Sequence, residues 1–163
     1  MEAEINVYLP LKELWFLITI VLILVTLMLV KKVRDKPFAL TSLLGATFIV
    51  CFITYGSYKN SIVLKNNELT VYAGGFSKSF STEHACLKVA NYTSTSGYPL
   101  SLRTAGTSMA GYRAGYFKNQ NNKEVFVLIT GQLTSASQYQ FEQGLLLIED
   151  SPAVLRLMKK ICE

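Results

Sequence analysis

RTAGTSMAGYRAGYF, residues 103–117, sets Gly106, Gly111 and Gly115 among aromatic residues and two arginines. A run of this kind is either a phosphate cradle or a set of bends in strands. A cradle needs a helix N-terminus behind the loop, because the free N–H groups there point at the anion. The three glycines are not spaced as a dinucleotide fingerprint. The residues that follow, YFKNQNNKEVFVLIT (116–130), place a polar turn between two apolar runs, with no helical period. Glycines inside strands mark bulges, sharp bends or close backbone approach. The stretch therefore predicts strands, with Gly106, Gly111 and Gly115 as structural glycines. A loop over 104–111 that meets a partner is the alternative.

Outward from this stretch the same rhythm continues. SIVLK (61–65), Asn66-Asn67 and ELTVYAGG (68–75) read as two strands around a tight turn, since Asn tolerates positive φ. FSKSF (76–80) alternates aromatic and polar residues as a half-buried strand does. YPLSLRT (98–104), KEVFVLIT (123–130), SQYQFE (137–142) and LLLIE (145–149) are further candidates. The last element differs. Ser151 is an N-cap residue and Pro152 suits the first helical position. Val154, Leu157, Met158 and Ile161 then share one face, with Arg156, Lys159 and Lys160 outside it. Residues 57–163 thus predict a soluble domain of about seven short antiparallel strands, a barrel or sandwich, capped by one C-terminal helix. The class is α+β.

The N-terminal third has another character. Residues 14–56 hold five charges, all between Lys31 and Lys36. LWFLITIVLILVTLMLV (14–30) is 17 uncharged residues, roughly 26 Å of helix. Lys12 and Lys31 can snorkel at its ends and Trp15 suits an interface. A second apolar run spans 38–55 and ends near Tyr55 and Tyr58. The short connection forces an antiparallel hairpin, with spans at about 14–31 and 38–56 after a flank of residues 1–13. A cleavable leader is excluded, because the start is acidic (Glu2, Glu4, Glu13) and the positive cluster follows the apolar run. The positive-inside rule places the 31–37 loop in the cytoplasm and both ends outside; the reverse orientation is the alternative, since Lys59 and Lys65 weaken the asymmetry. The expected location is a bacterial inner membrane, multi-pass, with the soluble domain extracytoplasmic. The linker GSYKNS (56–61) is expected to keep that domain close to the bilayer. Thr41, Gly45 and Ala46 offer small residues for helix contact.

Residues 102–161 carry a resemblance. An Arg, a small pair with Gly, a Gly-Tyr step, a Gly-aromatic step, a polar hairpin, an apolar strand ending in Thr130, a strand pair and the helix start at Asp150-Ser151-Pro152 resemble the bacterial pleckstrin-homology domain family. Ala110 stands where that pattern has Pro, and Ser151 separates Asp150 from Pro152. The resemblance implies a PH-like fold, and members similarly carry one or two N-terminal membrane helices. It implies little about activity, since such folds host many binding roles. The phosphoinositide signature of eukaryotic PH domains, a basic first hairpin, is missing: LKNNELTVYAGG (64–75) has one lysine and one glutamate.

Catalytic chemistry is sparse. His84 is the only histidine, so neither a relay through Ser135 or Ser137 nor a His-based metal set can be assembled. Glu149-Asp150 precede a helix, where negative charge complements the dipole. The expectation is no enzyme, no cofactor, no metal and no nucleic acid. Cys86 and Cys162 are free to pair in an oxidising compartment or to stay apart, since spacing does not settle proximity. Residues 57–163 carry eleven Lys or Arg against seven Asp or Glu, a net charge of +4. Arg103, Arg113, Lys118 and Lys123 are the candidate contacts to a partner or to lipid headgroups. The expected role is a membrane-anchored interaction domain, an accessory or scaffold subunit whose partners are the bilayer and another membrane protein or a second copy. A lipid- or envelope-ligand sensor is the alternative.

Overall fold

A computed structural model describes residues 2–8, 11–31, 35–84, 86–93, 97–108, 111–131 and 134–162. The chain opens with β1 (Ala3–Tyr8) and continues as two helices, α1 (Leu11–Leu29) and α2 (Pro37–Tyr58). Then come β2 (Lys59–Lys65), β3 (Glu68–Ala73), β4 (Phe76–Ser81), β5 (Leu87–Thr93) and β6 (Leu100–Ser108). β7 (Arg113–Asn119), β8 (Glu124–Ile129), β9 (Ser135–Phe141), β10 (Gly144–Glu149) and α3 (Pro152–Cys162) complete an α+β fold.

The two long helices lie side by side. Their few hydroxyls are satisfied internally: Thr19, Thr26, Thr47 and Thr54 each donate to the carbonyl four residues back, at 2.7–2.8 Å. Such bonds let these threonines lie on an apolar surface with their hydroxyls satisfied. Among the described residues one helix, Pro37–Gly56 in α2, is long and apolar enough to cross a membrane, with a hydropathy of 1.9 and none of that window buried. In α1 the apolar stretch that qualifies is shorter, Ile18–Leu29. Gly45 is exposed, and a Cβ there would meet nothing within 4 Å, so this residue does not make the close helix contact expected of it.

Four strands form an antiparallel sheet in the order β1-β2-β3-β4. The β2–β3 turn lies where the sequence predicts it, and the structure adds a second turn at Gly74-Gly75. Asn66 and Asn67 have φ of 49° and 60°, and Gly74 and Gly75 have 60° and 85°, as two-residue hairpin turns of the primed type require. Six strands form the second sheet, β5-β9-β10-β8-β7-β6.

The structure corrects the expectation of about seven strands in 57–163, all antiparallel: among the described residues that part has nine, β2–β10, and β8 and β10 run parallel, Leu145 opposite Val125 through Ile148 opposite Leu128. Both strands are unbroken apolar runs buried on both faces, the pattern that suits central, parallel neighbours. One face of the sheet packs on the first sheet through Phe126, Leu128, Leu146 and Ile148 against Ile62, Leu69, Val71 and Phe80. Val125, Val127, Leu145 and Leu147 point the other way, where Tyr92, Tyr98 and Leu100 pack on them.

α3 closes the core with Val154, Leu157 and Met158. Its start is as the sequence predicts: Ser151 Oγ accepts from Val154 N at 3.2 Å and Pro152 is the first helical residue. Cys86, just before β5, is disulfide-bonded to Cys162 at the end of α3. Of the two open possibilities for these cysteines, the paired one is realised.

The largest difference lies at the N-terminus. Residues 3–8, expected to be plain flank, form a strand whose whole length pairs with β2, from Ala3 opposite Leu64 to Tyr8 opposite Lys59. AEINVY alternates with period two, and Ala3, Ile5 and Val7 pack on the core while Glu4, Asn6 and Tyr8 face out. The expected linker is also absent as a linker: α2 runs to Tyr58 and β2 begins at Lys59. The β1–β2 ladder therefore ends, at the Tyr8–Lys59 pair, where the two helices begin and end.

Candidate functional site

The place where helices meet sandwich is held by two polar residues. Asn60, the second residue of β2, is fully buried. Its Oδ1 accepts from Gly74 N at 2.9 Å and from the Tyr112 hydroxyl at 3.0 Å. Tyr112 is also fully buried. One amide oxygen thus ties the start of β2, the β3–β4 turn and the approach to β7. Gly56 of α2 lies against that same turn, and a Cβ at Gly56 would stand 3.6 Å from Gly75 Cα. Helix and turn are thus within van der Waals reach of each other at this point.

The glycine segment answers to close backbone approach. Gly106 faces Gly115 across β6 and β7. A Cβ at Gly106 would lie 2.1 Å from the Ala114 carbonyl oxygen, and one at Gly115 2.5 Å from that of Ala105. Gly111 packs against Gly131, where a Cβ would lie 2.6 Å from Gly111 O. β6 carries register shifts on both sides of Arg103, between Leu100 and Leu102 and between Arg103 and Ala105. Such bulges bend a strand and re-aim its side chains. Met109 and Ala110, part of the alternative loop over 104–111, lie outside the described residues.

These features shape two adjoining hollows. A cleft of about 690 Å3 opens between α2 and the sandwich. Phe52 and Tyr55 form its helical wall, 71% and 76% exposed. Gly74, Gly75 and Phe76 line it from the β3–β4 turn, and Arg103, Gly106 and Thr107 from β6. A Cβ at Gly75 would meet nothing within 4 Å, so the cleft is open at that point. The second hollow, about 210 Å3, lies along β6 and β7 and is lined by Ser101, Arg103, Ser108, Arg113 and apolar neighbours. Arg103 lines both.

The structure thus brings together two of the four cations singled out in the sequence. Arg103 is exposed, and Arg113 is half-buried with its guanidinium 5.5 Å from the Tyr98 ring centre, within cation–π range. Burial raises the Tyr98 hydroxyl above its ordinary pKa, and the nearby Glu149 carboxylate adds to that. Lys118 and Lys123 stand apart, at the β7–β8 turn. Lys118 lies opposite Glu124 in the ladder. The backbone N–H of Lys123 donates to Asn119 Oδ1 at 2.9 Å. His84 is exposed beside Glu142, 3.3 Å away. Ser137 donates to Asp150 Oδ1 at 2.5 Å with Asn91 Oδ1 also 2.9 Å from its hydroxyl, and Glu149 accepts from Thr130 N at 3.1 Å. These carboxylates tie β8, β9 and β10 to the start of α3. Among the described residues no group of three His, Cys, Asp or Glu is placed to hold a metal ion.

Asn60 and Tyr112, Phe52 and Tyr55 at the cleft, and the β3–β4 turn as its rim escape a reading of the sequence. Each acquires its role from a contact between segments far apart in the chain. No family model, curated protein or solved structure matches this chain.

Proposed function

We propose that this chain is a membrane-anchored interaction module that does no chemistry of its own, an accessory or scaffold subunit of a membrane complex. α1 and α2 cross the bilayer as a hairpin, and the sandwich sits on the extracytoplasmic face of a bacterial inner membrane. The observation that carries this reading is the β1–β2 ladder running straight into both helices. Antiparallel strands on one side of a membrane require an even number of crossings between them. The two apolar helices supply that number.

Other features support the same placement. Trp15 and Tyr55, both exposed, lie near the sandwich ends of their helices, where interfacial aromatics belong. Lys31 and Lys36 lie at the far end, and the sequence between them adds two more basic residues. The Cys86–Cys162 disulfide suits an oxidising compartment. The run of β6, β7, β8, a hairpin and α3 supports the pleckstrin-homology resemblance of residues 102–161, and the parallel β8–β10 pair departs from it.

A domain fixed this way offers one constant face to neighbours at the membrane surface, which raises the effective concentration of weak contacts there. The test is an insertion of ten Gly-Ser residues between Tyr58 and Lys59. In mild detergent the native chain should migrate in an assembly larger than itself, and the insertion should release it while the disulfide still forms. A native chain that runs alone as a monomer contradicts the proposal.

A further inference from the structure

The cleft and the hollow beside it form one track with an order of chemistry. At the α2 end the lining is aromatic, Phe52, Tyr55 and Phe76. Next comes Arg103, common to both. Beyond it lie Ser101, Ser108 and Arg113. From the helix outward the sequence is apolar, cationic, then hydroxyl-bearing and cationic. No carboxylate lines either hollow among the described residues, and Arg103 makes no ion pair there. A volume of about 690 Å3 lies within the range of roughly 300–1,000 Å3 usual for ligand sites.

We infer that this track holds one anionic phospholipid of the surrounding bilayer. The inference rests on the membrane placement proposed above. The acyl end of the lipid lies along Phe52 and Tyr55 on the last turns of α2, at the depth where lipid glycerol and upper chain are found. The phosphate reaches Arg103, whose guanidinium matches phosphate oxygens in pairs. The headgroup extends toward Ser101, Ser108 and Arg113. The Ser108 hydroxyl suits a polyol such as glycerol, Ser101 Oγ, whose proton goes to the Lys118 and Asn119 carbonyls, can still accept from one, and Arg113 disfavours a choline or ethanolamine cation. The bare glycines keep the track open: Gly75 leaves space at the rim, and the Gly106–Gly115 contact draws β6 and β7 together beneath it. This ligand class differs from a phosphoinositide held by a basic hairpin, for which the β2–β3 turn has only Asn66 and Asn67.

The experiment uses the full chain, delipidated in detergent and titrated with phosphatidylglycerol or phosphatidylcholine under native mass spectrometry. One phosphatidylglycerol should be retained at a concentration at least about tenfold below that for phosphatidylcholine, as a charge-assisted contact allows. Arg113→Gln should remove most of that preference, and Arg103→Gln, which loses the contact to the phosphate that both lipids carry, should weaken the retention of both. Lys123→Gln, at the distant turn, should keep the preference. Equal retention of the two lipids, a preference unchanged in Arg113→Gln, or retention of both lipids unchanged in Arg103→Gln overturns the lipid site. Alkaline carbonate treatment of native membranes separates the two ideas. A chain released by carbonate contradicts the membrane anchor and this inference with it. A chain that stays in the membrane yet shows no lipid preference contradicts the lipid site alone.

Discussion

At the residue scale the junction depends on Asn60. Its carboxamide oxygen is the acceptor for a buried hydroxyl and a backbone N–H from two other segments. Removing it takes the acceptor from the fully buried Tyr112 hydroxyl and from the half-buried Gly74 N–H, and an unmet buried donor costs about 1–3 kcal/mol. Asn60→Ala is therefore expected to lower unfolding stability of the full chain in detergent by about 2 kcal/mol or more, read by chemical denaturation. Tyr112→Phe removes one donor and its own hydroxyl together, so it should cost less. A Tyr112→Phe loss as large as that of Asn60→Ala would show that Asn60 does not act as the shared acceptor. Neither residue was legible beforehand, because an Asn at a strand start and a Tyr after a glycine have many ordinary uses. The glycines were more legible. Their spacing excluded a cradle on one side and left close approach on the other, and the Gly106–Gly115 pair meets that requirement with carbonyl oxygens 2.1 and 2.5 Å from where Cβ atoms would stand.

At the scale of elements, what could be read and what could not divide along the range of the determining forces. α3 was legible because its signals are local: an N-cap serine, a proline at the first position and an apolar stripe. The hairpin at Asn66-Asn67 was legible for the same reason. The mixed order of the second sheet was not. Continuous apolar runs in β8 and β10 mark burial on both faces, yet do not say which strand lies beside which. β1 carried a period-two signal, but six residues of alternation before an apolar helix look like a flank until a partner strand is known. The disulfide is likewise a long-range fact. It closes a sequence separation of 76 residues between β5 and α3, and a loop of that length corresponds to about 4 kcal/mol by the chain-entropy account. A Cys86→Ser, Cys162→Ser double variant is expected to unfold at a lower denaturant midpoint, with α3 losing hydrogen-exchange protection first. Protection of α3 equal to that of the native chain would place its anchoring in Val154, Leu157 and Met158 alone.

At the scale of the whole molecule the strands and the helices are one continuous pair of hairpins, β1 into α1 and α2 into β2, with the sandwich built on the strand half. The central claim is that the helical half spans a bilayer, so that residues 3–8 and the sandwich share one side and the 31–37 turn lies on the other. Single-cysteine variants at Glu4, Asn121 and Asp35, made in a Cys51→Ser background with the Cys86–Cys162 bond intact, test it directly. Sealed right-side-out membranes are treated with a membrane-impermeant maleimide before and after permeabilisation. The account predicts that Glu4→Cys and Asn121→Cys label at once and that Asp35→Cys labels only after permeabilisation. Labelling of Glu4→Cys and Asn121→Cys from opposite sides, or of all three from one side, would contradict it.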